Sequence, residues 1–232
     1  LENMRRFYTP EIEGIRIPLG IQRPRIGIAS RREYGFGEDE FLMVTVGRLV
    51  PRKAVNQLIS MMERLGKEKG RLLIVGDGPQ KQLLKQESIK RQLGNRVLFM
   101  GHIEESEKFR ILRMCDLYVS TSQHEGFGLV FLEAMASGLP VICYDSGGQR
   151  DFLQDQETGY LVPLNNLDLF TKRCQFLILN PELRKKMGRN NEHRSEEFHI
   201  NKCALRYESV FKDILEIDEK RKRYCGIRAQ LT

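Results

Sequence analysis

The chain has 232 residues, of which 41% are hydrophobic, and carries a formal net charge of +7. This length allows one large domain or two small ones, and no apolar run approaches the ~18 residues that a membrane span requires. The five cysteines are widely spaced and form no CxxC pair, which argues against a disulfide framework or a zinc site and for a reducing compartment.

The first part of the chain, residues 1–40, is expected to be irregular apart from one short strand in GIRIPLGI, because prolines and glycines recur in it. The pattern changes from Phe41 onward. Apolar runs then predict strands in FLMVTVG, RLLIVGDGP, NRVLFMGHI, DLYVSTS, LPVICYD and TGYLVP.

Helical spacing of apolar residues separates these runs. It predicts helices in VNQLISMMERLGKE, in QKQLLKQESIKRQLG with Gly94 as its C-cap, in SEKFRILRMC opened by Ser106, and in LVFLEAMAS. Three further helical runs follow the last strand: NLDLFTKRCQFLILN, PELRKKMGRN and INKCALRYESVFKDILEID.

Alternating strands and helices, with strands apolar throughout, indicate an α/β fold with a parallel sheet covered by helices on both faces. We therefore expect a Rossmann-like domain. In such sheets ligands bind at the carboxyl ends of the strands. The glycine turns after the first, second, third and fifth predicted strands all fall on that edge.

The stretch QHEGFGLVFLEAMASGLPV places one carboxylate before a helix and a second inside it. Glu125 precedes the helix, so its side chain can point into a cleft. Gly126 and Gly128 lack Cβ, which lets the backbone approach a ligand and adopt positive φ. A helix start attracts a diphosphate through its free N–H groups, here those of Phe127, Gly128 and Leu129. Glu133, in the second turn, is suited to accept hydrogen bonds from two ribose hydroxyls.

The ordered set VGRLVPRKAV, VGDGP, HEGFGLVFLE, SGGQRD and TGYLVP resembles the donor-binding, C-terminal half of the retaining glycosyltransferases of family 4, which have the GT-B fold. The resemblance covers about Ile17 to Leu215. It implies that the chain binds a UDP-, GDP- or ADP-linked sugar. It also implies transfer by a front-face substitution that retains configuration and needs no cofactor, metal or enzymic nucleophile.

The resemblance assigns catalytic roles to Glu125, near the hydroxyls of the transferred sugar, and to Arg48 and Lys53, as cations for the diphosphate. Lys53 is expected to open a helix, a position that disfavours a cation unless an anion lies nearby. This mismatch favours a role on the diphosphate over the alternative of an exposed first-turn lysine. The neighbouring Arg52 is expected to be solvated. Glu133 is assigned to the ribose.

The remaining donor contacts are expected from glycine turns. Gly47 follows the first strand, while the base is expected to stack near Gly76, Gly101, His102 and Ile103. Gly147 and Gly148 resemble a glycine pair near the sugar, but Asp151 stands where the family usually has glutamate, and Gln149 and Arg150 are unusual neighbours for a sugar. The identity of the sugar therefore stays open.

We interpret residues 1–40 as the linker and tail of a missing N-terminal acceptor domain, and residues 41–232 as the nucleotide-sugar-binding domain with its C-terminal helices. The expected acceptor, a glycan or lipid, would bind the missing domain, so the isolated segment should be inactive. A cytoplasmic location is expected. The basic run Lys220–Arg223 leaves open a fraying helix end or a peripheral membrane or partner contact.

Three alternative functional classes are disfavoured, and each can be recognised by a sequence feature. A non-catalytic nucleotide-binding or regulatory module would keep the fold, although it would not need Arg48, Lys53, Glu125 and Glu133 together. A nucleic-acid binder would need a basic or aromatic stripe, whereas Trp is absent and the basic residues are dispersed. A dinucleotide-binding enzyme would need a G-x-G-x-x-G after the first strand, which is not found.

Overall fold

The computed structural model describes Ile15, residues 17–23, Gly27, residues 30–66 and residues 70–229, with side chains through Glu216 in the last helix. The side chains of Cys225 and of the run Lys220–Arg223 lie outside the described part. The chain divides into two compact units. One is Arg23–Glu197, and the other comprises the described residues up to Gln22 together with those from Phe198 onward.

The larger unit contains a six-stranded sheet in the order β3-β2-β1-β4-β5-β6. Every pairing in it is parallel. The strands are β1 (Leu42–Val46), β2 (Arg71–Val75), β3 (Val97–Gly101), β4 (Leu117–Ser120), β5 (Val141–Tyr144) and β6 (Gly159–Val162). The predicted Rossmann-like architecture is thus confirmed.

The helices follow the strands as the apolar spacing predicts. They are α1 (Val55–Arg64), α2 (Lys81–Lys90), α3 (Glu105–Met114), α4 (Leu129–Ala136), α5 (Leu167–Leu179), α6 (Pro181–Ser195) and α7 (Ile200–Ala229). Short 3-10 turns cover Arg31–Tyr34, Pro51–Lys53, Gly148–Asp151 and Glu196–Phe198. None of the described helices is both long and apolar enough to cross a bilayer.

Both faces of the sheet are buried, which explains the uninterrupted apolar runs. Met43 and Ile74 point into a cluster that includes Leu58 of α1. On the other face, the ring of Tyr118 in β4 packs edge-on against Phe131 of α4, with centroids 5.6 Å apart. Each fully buried side chain of this size contributes about 1.5–3 kcal/mol, so the two layers fix the strand ends that carry the site.

Three local predictions are wrong. GIRIPLGI forms no strand at the described residues 17–20; Ile21 instead makes an isolated bridge with His199. Helix α2 ends at Lys90 with Arg91, not Gly94, as its C-cap, and Gln92 after it adopts the left-handed conformation (φ 57°). Helix α3 begins at Glu105 after an extended Glu104, so Ser106 lies within its first turn.

The cysteines whose side chains are described are core residues. Cys115, Cys143, Cys174 and Cys203 are buried free thiols. Burial raises the pKa of the first three well above that of an exposed thiol, so they remain protonated and unreactive at neutral pH. These four thiols therefore fill the core.

Candidate functional site

The strand order reverses between β1 and β4, where chains leave the sheet in opposite directions. In an open α/β sheet this switch point forms the crevice in which ligands bind. The loops that border it are residues 47–54 after β1 and residues 121–128 after β4. These loops hold four of the nine predicted donor contacts. The four are Gly47, Gly126, Phe127 and Gly128, and they lie at the crevice with Arg48, Lys53 and Glu125.

The two loops are tied to each other by hydrogen bonds. Gln123 N–H donates to the carbonyl of Arg52 at 2.8 Å, and Thr121 Oγ1 donates to the carbonyl of Ala54 at 2.9 Å. The guanidinium of Arg52 in turn donates to the carbonyl of His124. Arg52 is thus half exposed but bound, contrary to the expectation that it is merely solvated.

Lys53 does not open a helix. It ends the turn Pro51–Lys53 and precedes Ala54, which has a left-handed conformation (φ 47°) at the N-cap of α1. This bend turns the Lys53 side chain into the crevice, where it is 16% exposed and its ammonium pairs with Glu125 Oε1. Lys53 is therefore a largely buried member of an ion pair, not the exposed first-turn lysine that stood as the alternative to a binding role.

Glu125 is held from both sides at the crevice. Its side chain is 9% exposed and lies between Lys53 and Arg52, whose Nη1 is 3.7 Å from Glu125 Oε2. Its N–H donates to the carbonyl of Ser146 at 3.1 Å, and its carbonyl accepts from Gly148 N–H at 2.9 Å. The sheet pairing of β4 and β5 is thereby extended by one bridge beyond the strand ends.

This bridge explains the glycine pair after β5. Gly147 has a φ of 132°, and a Cβ on it would lie 2.0 Å from the carbonyl oxygen of Glu125. A Cβ on Gly148 would lie 2.2 Å from the carbonyl oxygen of Gly126. Both glycines are required because the backbone of the β5 loop lies directly on the backbone that carries Glu125.

The glycines before α4 differ from each other. Gly128 is the N-cap of α4 with a φ of 86°, as expected, whereas Gly126 is absent from the positive-φ residues of the described chain. A Cβ on Gly126 would meet no atom within 4 Å, so space above its backbone is open. Among the described residues, the N–H groups of Phe127, Gly128 and Leu129 have no backbone acceptor, which leaves them available to an anion.

A groove of about 540 Å³ extends from the switch point along the carboxyl ends of β1, β2 and β3. The predicted residues Gly47, Arg48, Gly76 and Ile103 line it, together with His102. Gly101 lies just beneath, where its carbonyl accepts from Gly76 N–H at 2.7 Å. The structure thus brings Gly76, His102 and Ile103, expected at the base, to one groove with Arg48. Lys53 lines a small adjoining pocket that shares Gly47 and Arg48.

Two groove residues were missed in the sequence. Asp77 lines the groove, and hydrogen bonds from Lys81 and from Gly78 N–H hold the pKa of its carboxyl below the usual value. Lys108 also lines it, and its Nζ lies 2.7 Å from Glu133 Oε1. The sequence could have indicated Lys108, because it stands three and four residues before Ile111 and Leu112, which are buried in α3. This spacing places a lysine on the apolar face of the helix.

The unusual residues after the glycine pair are engaged within the chain. Gln149 is 1% exposed and its Nε2 donates to the carbonyl of Tyr144 at 2.6 Å. Arg150 pairs with Asp145 on the surface. Asp151, the residue that stands in place of the usual glutamate, ends the 3-10 turn Gly148–Asp151.

A concavity of about 860 Å³ lies at the opposite edge of the sheet. Its arginines already serve the fold: Arg31 bonds carbonyls of Met114 and Glu40, and Arg184 caps carbonyls at the end of α5. Arg71 pairs with Glu40 at 2.6 Å, and Arg96 donates to the carbonyls of Gly70 and Met62. Within the described chain, His, Cys, Asp and Glu form no group of three or more that could hold a metal ion.

Comparison with known families gives a match over most of the chain. Residues 28–194 match the family described as "Glycosyl transferases group 1". N-acetyl-alpha-D-glucosaminyl L-malate synthase of Bacillus anthracis is 32% identical over 83% of this chain and 50% of its own length. The putative glycosyltransferase EpsD of Bacillus subtilis is 29% identical over 92% of this chain and 57% of its own. The chain thus spans about half the length of these relatives.

Solved structures agree with the fold. Sucrose-phosphate synthase from Thermosynechococcus elongatus superposes with a TM-score of 0.82 at 27% identity, over 93% of this chain and 56% of that one. The pneumococcal O-GlcNAc transferase GtfA, solved in complex with UDP and GlcNAc, superposes with a TM-score of 0.67 at 25% identity. That alignment covers 75% of this chain and 36% of GtfA.

Proposed function

The chain belongs to the glycosyl transferases group 1 family, as a C-terminal GT-B domain of the family 4 type, and we propose that it binds a nucleoside-diphosphate sugar. The sugar is transferred with retention of configuration, without metal, to a glycan or lipid acceptor held by another domain. Ligands in a solved relative, UDP and GlcNAc, support this class of donor.

The observation that carries the proposal is the ion pair of Lys53 with Glu125 across the switch point. It places a buried cation and a buried carboxylate side by side, next to free N–H groups at the start of α4. The diphosphate binds to those N–H groups, to Lys53 and to Arg48, while Glu125 accepts hydrogen bonds from the sugar hydroxyls.

These groups act on the departing diphosphate. As the bond between the anomeric carbon and the β-phosphate oxygen breaks, negative charge grows on that oxygen. Cations and N–H dipoles fixed in place before reaction stabilise this charge more than they stabilise the bound donor, which lowers the barrier. The acceptor hydroxyl attacks from the same face and loses its proton to the departing phosphate oxygen.

The two carboxylates read opposite ends of the donor, because the phosphate-binding N–H groups lie between them in sequence. Glu133→Gln should weaken UDP and a UDP-sugar by a similar factor, and a 2′-deoxynucleotide less than the ribonucleotide. Glu125→Gln should leave UDP affinity unchanged or slightly higher, since it frees Lys53, but weaken the UDP-sugar about tenfold or more, the loss of a charged hydrogen bond.

Calorimetry on wild type and both variants tests this assignment, with GDP and ADP compounds run in parallel to identify the base. Glu182→Gln, at an exposed pair with Lys185 on α6, is the matched control and should alter no affinity. A Glu125→Gln protein that loses UDP as strongly as Glu133→Gln would contradict the placement of the donor. Failure of wild type to bind any of the three diphosphates would contradict the proposed function itself.

A further inference from the structure

The ion pair between Lys108 and Glu133 joins two helices away from bulk solvent. Nζ lies 2.7 Å from Oε1, and the side chains are 17% and 13% exposed. The second carboxylate oxygen, Oε2, is buried and has no hydrogen-bond partner among the described residues. Because an ionised carboxylate offers about four lone-pair sites, the pair leaves Glu133 with acceptor capacity that the described chain does not use.

Lys108 connects this carboxylate to the nucleotide groove. It is part of the groove wall together with Gly47, Arg48 and Gly76, and Glu133 contacts that wall through it. Its ammonium also lies 5.2 Å from the ring centroid of Phe109. The ring and the carboxylate together restrict the lysine, so Glu133 fixes one residue of the groove wall from behind it.

The surroundings of Glu133 otherwise oppose its ionisation. Burial raises the pKa of its carboxyl, and nearby Glu105 adds to that rise, while Lys108 counteracts both. From β4, the hydroxyl of Tyr118 donates to the carbonyl of Val46 at 3.3 Å. Lys108 is therefore the group that offsets the cost of a charged Glu133.

Two charged residues of α6, which packs against α4, are engaged elsewhere. Arg194 donates to the carbonyl of Phe152, and Glu192 accepts from Arg23 at 3.0 Å. An ionised Glu133 would also repel the diphosphate of a nucleotide in the groove. Pairing with Lys108 removes that net charge while leaving lone pairs for ribose hydroxyls.

We propose that Lys108 is a positioning residue that holds Glu133 ionised and oriented for the ribose of a nucleotide in the groove. The inference rests on the proposed function, because it takes Glu133 as the ribose ligand. It adds a residue from α3 to the donor site and gives nucleotide affinity a defined dependence on pH.

The test compares Lys108→Met with Lys108→Arg. Removing the ammonium lets the pKa of Glu133 rise further, so the carboxylate becomes protonated at a higher pH than in wild type. As pH decreases, UDP affinity should therefore begin to fall at a higher pH in Lys108→Met than in wild type. At a pH below both pKa values, the variant should bind UDP about tenfold more weakly than wild type for each unit by which the pKa of Glu133 has risen. Lys108→Arg should keep the wild-type profile, since it preserves the charge.

Glu133→Gln is the reference protein for this test. Residue 133 cannot titrate in it, while the phosphate groups of UDP still do. In that background Lys108→Met should cause no further pH-dependent loss. Lys185→Met removes the lysine of an exposed Lys–Glu pair and should leave the profile unchanged. Equal, pH-independent losses from Lys108→Met in both backgrounds would mean that Lys108 only supports the fold, and would overturn the proposal.

A second measurement does not require a bound nucleotide. The pKa of Glu133, followed by carbon-13 NMR of its carboxyl, should be higher in Lys108→Met than in wild type. An unchanged pKa would overturn the proposal whatever the affinities. If the pKa rises as expected while UDP, GDP and ADP all fail to bind wild type, the proposed function fails and the proposed orientation for a ribose falls with it, but the electrostatic pairing stands.

Discussion

Removal of either Lys53 or Glu125 should destabilise the fold, because the two side chains form a largely buried ion pair. The Lys53 ammonium pairs with a carboxylate that is 9% exposed, and the loss of one partner of a buried pair costs about 3–5 kcal/mol when the remaining charge is left uncompensated. Here Arg52, 3.7 Å from the other oxygen, reduces that cost. Stability and ligand binding must therefore be separated in any experiment on this residue.

Lys53→Ala should lower both the free energy of unfolding and the affinity for a nucleoside diphosphate. The loss of affinity should be about tenfold to a hundredfold, since a charged hydrogen bond contributes about 1.5–3 kcal/mol. Nucleoside affinity should not change, because the lysine meets only phosphate. Calorimetry with both ligands and chemical denaturation measure the two effects.

The double variant Lys53→Ala/Glu125→Gln separates them. Neutralising Glu125 should restore most of the stability, since no buried charge is then left unpaired, but it should not restore diphosphate affinity. If nucleoside and diphosphate affinities fall equally in the single variant, Lys53 supports the fold and does not bind the diphosphate.

Residue identities at the crevice could be predicted from sequence, but their mutual contacts could not. Glu125 and Lys53 stand 72 positions apart, and the pairing of their loops depends on the strand order. Lys108 was missed because its partner lies on another helix, 25 positions away. Spacing within one helix can place a lysine on an apolar face, but it does not say which carboxylate that face meets.

At the scale of elements, the bridge between the loops after β4 and β5 predicts opposite behaviour for two glycines. Gly147→Ala should destabilise the chain by about 1–3 kcal/mol, the usual cost of a strained backbone conformation, and more if the carbonyl of Glu125 cannot move. Gly126→Ala should leave stability nearly unchanged, because its Cβ would enter open space.

Gly126→Ala, which should not change stability, should instead change ligand affinity. If the donor approaches the backbone at the start of α4, the added methyl group of Gly126→Ala lowers donor affinity without unfolding the protein. Denaturation midpoints and calorimetry on the two variants decide this. A Gly126→Ala protein with wild-type donor affinity would place the ligand away from this turn.

Element types followed from sequence more reliably than element ends. Continuous apolar runs identified the buried strands because both faces of the sheet are covered. The end of α2 was misjudged because Gln92, rather than a glycine, adopts positive φ, which composition does not reveal. The supposed strand in GIRIPLGI failed since the pairing of Ile21 is with His199, a contact 178 positions away, and is limited to one bridge.

For the whole molecule, a donor site at the switch point predicts stabilisation by ligand that needs no metal. At a concentration of 100 times Kd, a nucleoside diphosphate should stabilise the fold by about 2.7 kcal/mol. For a domain of this size that corresponds to a rise in Tm of roughly 5–10 °C. Thermal denaturation with UDP, GDP or ADP, each in excess chelator, measures it.

The free nucleoside serves as the control and should give a smaller shift, because it lacks the phosphate contacts. A shift that disappears in chelator would show that a divalent cation takes part in binding. A shift of equal size with the nucleoside would argue against any role for Arg48, Lys53 and the start of α4.

The order of the strands gives the crevice its position, and the sequence patterns predicted a parallel sheet without specifying that order. Regular alternation of strands and helices leaves few permitted topologies, since parallel crossovers are right-handed in nearly all cases. The alternation of strands and helices does not predict how one loop packs on another. That packing depends on backbone contacts such as the one between Gly147 and Glu125.

The pairing of Lys53 with Glu125 has a consequence for the speed of encounter. A chain with a net charge of +7 would ordinarily draw an anion towards it over a Debye length of about 8 Å at physiological ionic strength. At the crevice, however, the lysine is already matched by an internal counter-ion, so its field does not extend far into solvent. The association rate constant of the donor should therefore be that of unsteered diffusion and should depend little on salt. The phosphate pairs with Lys53 only after the donor has bound at the crevice.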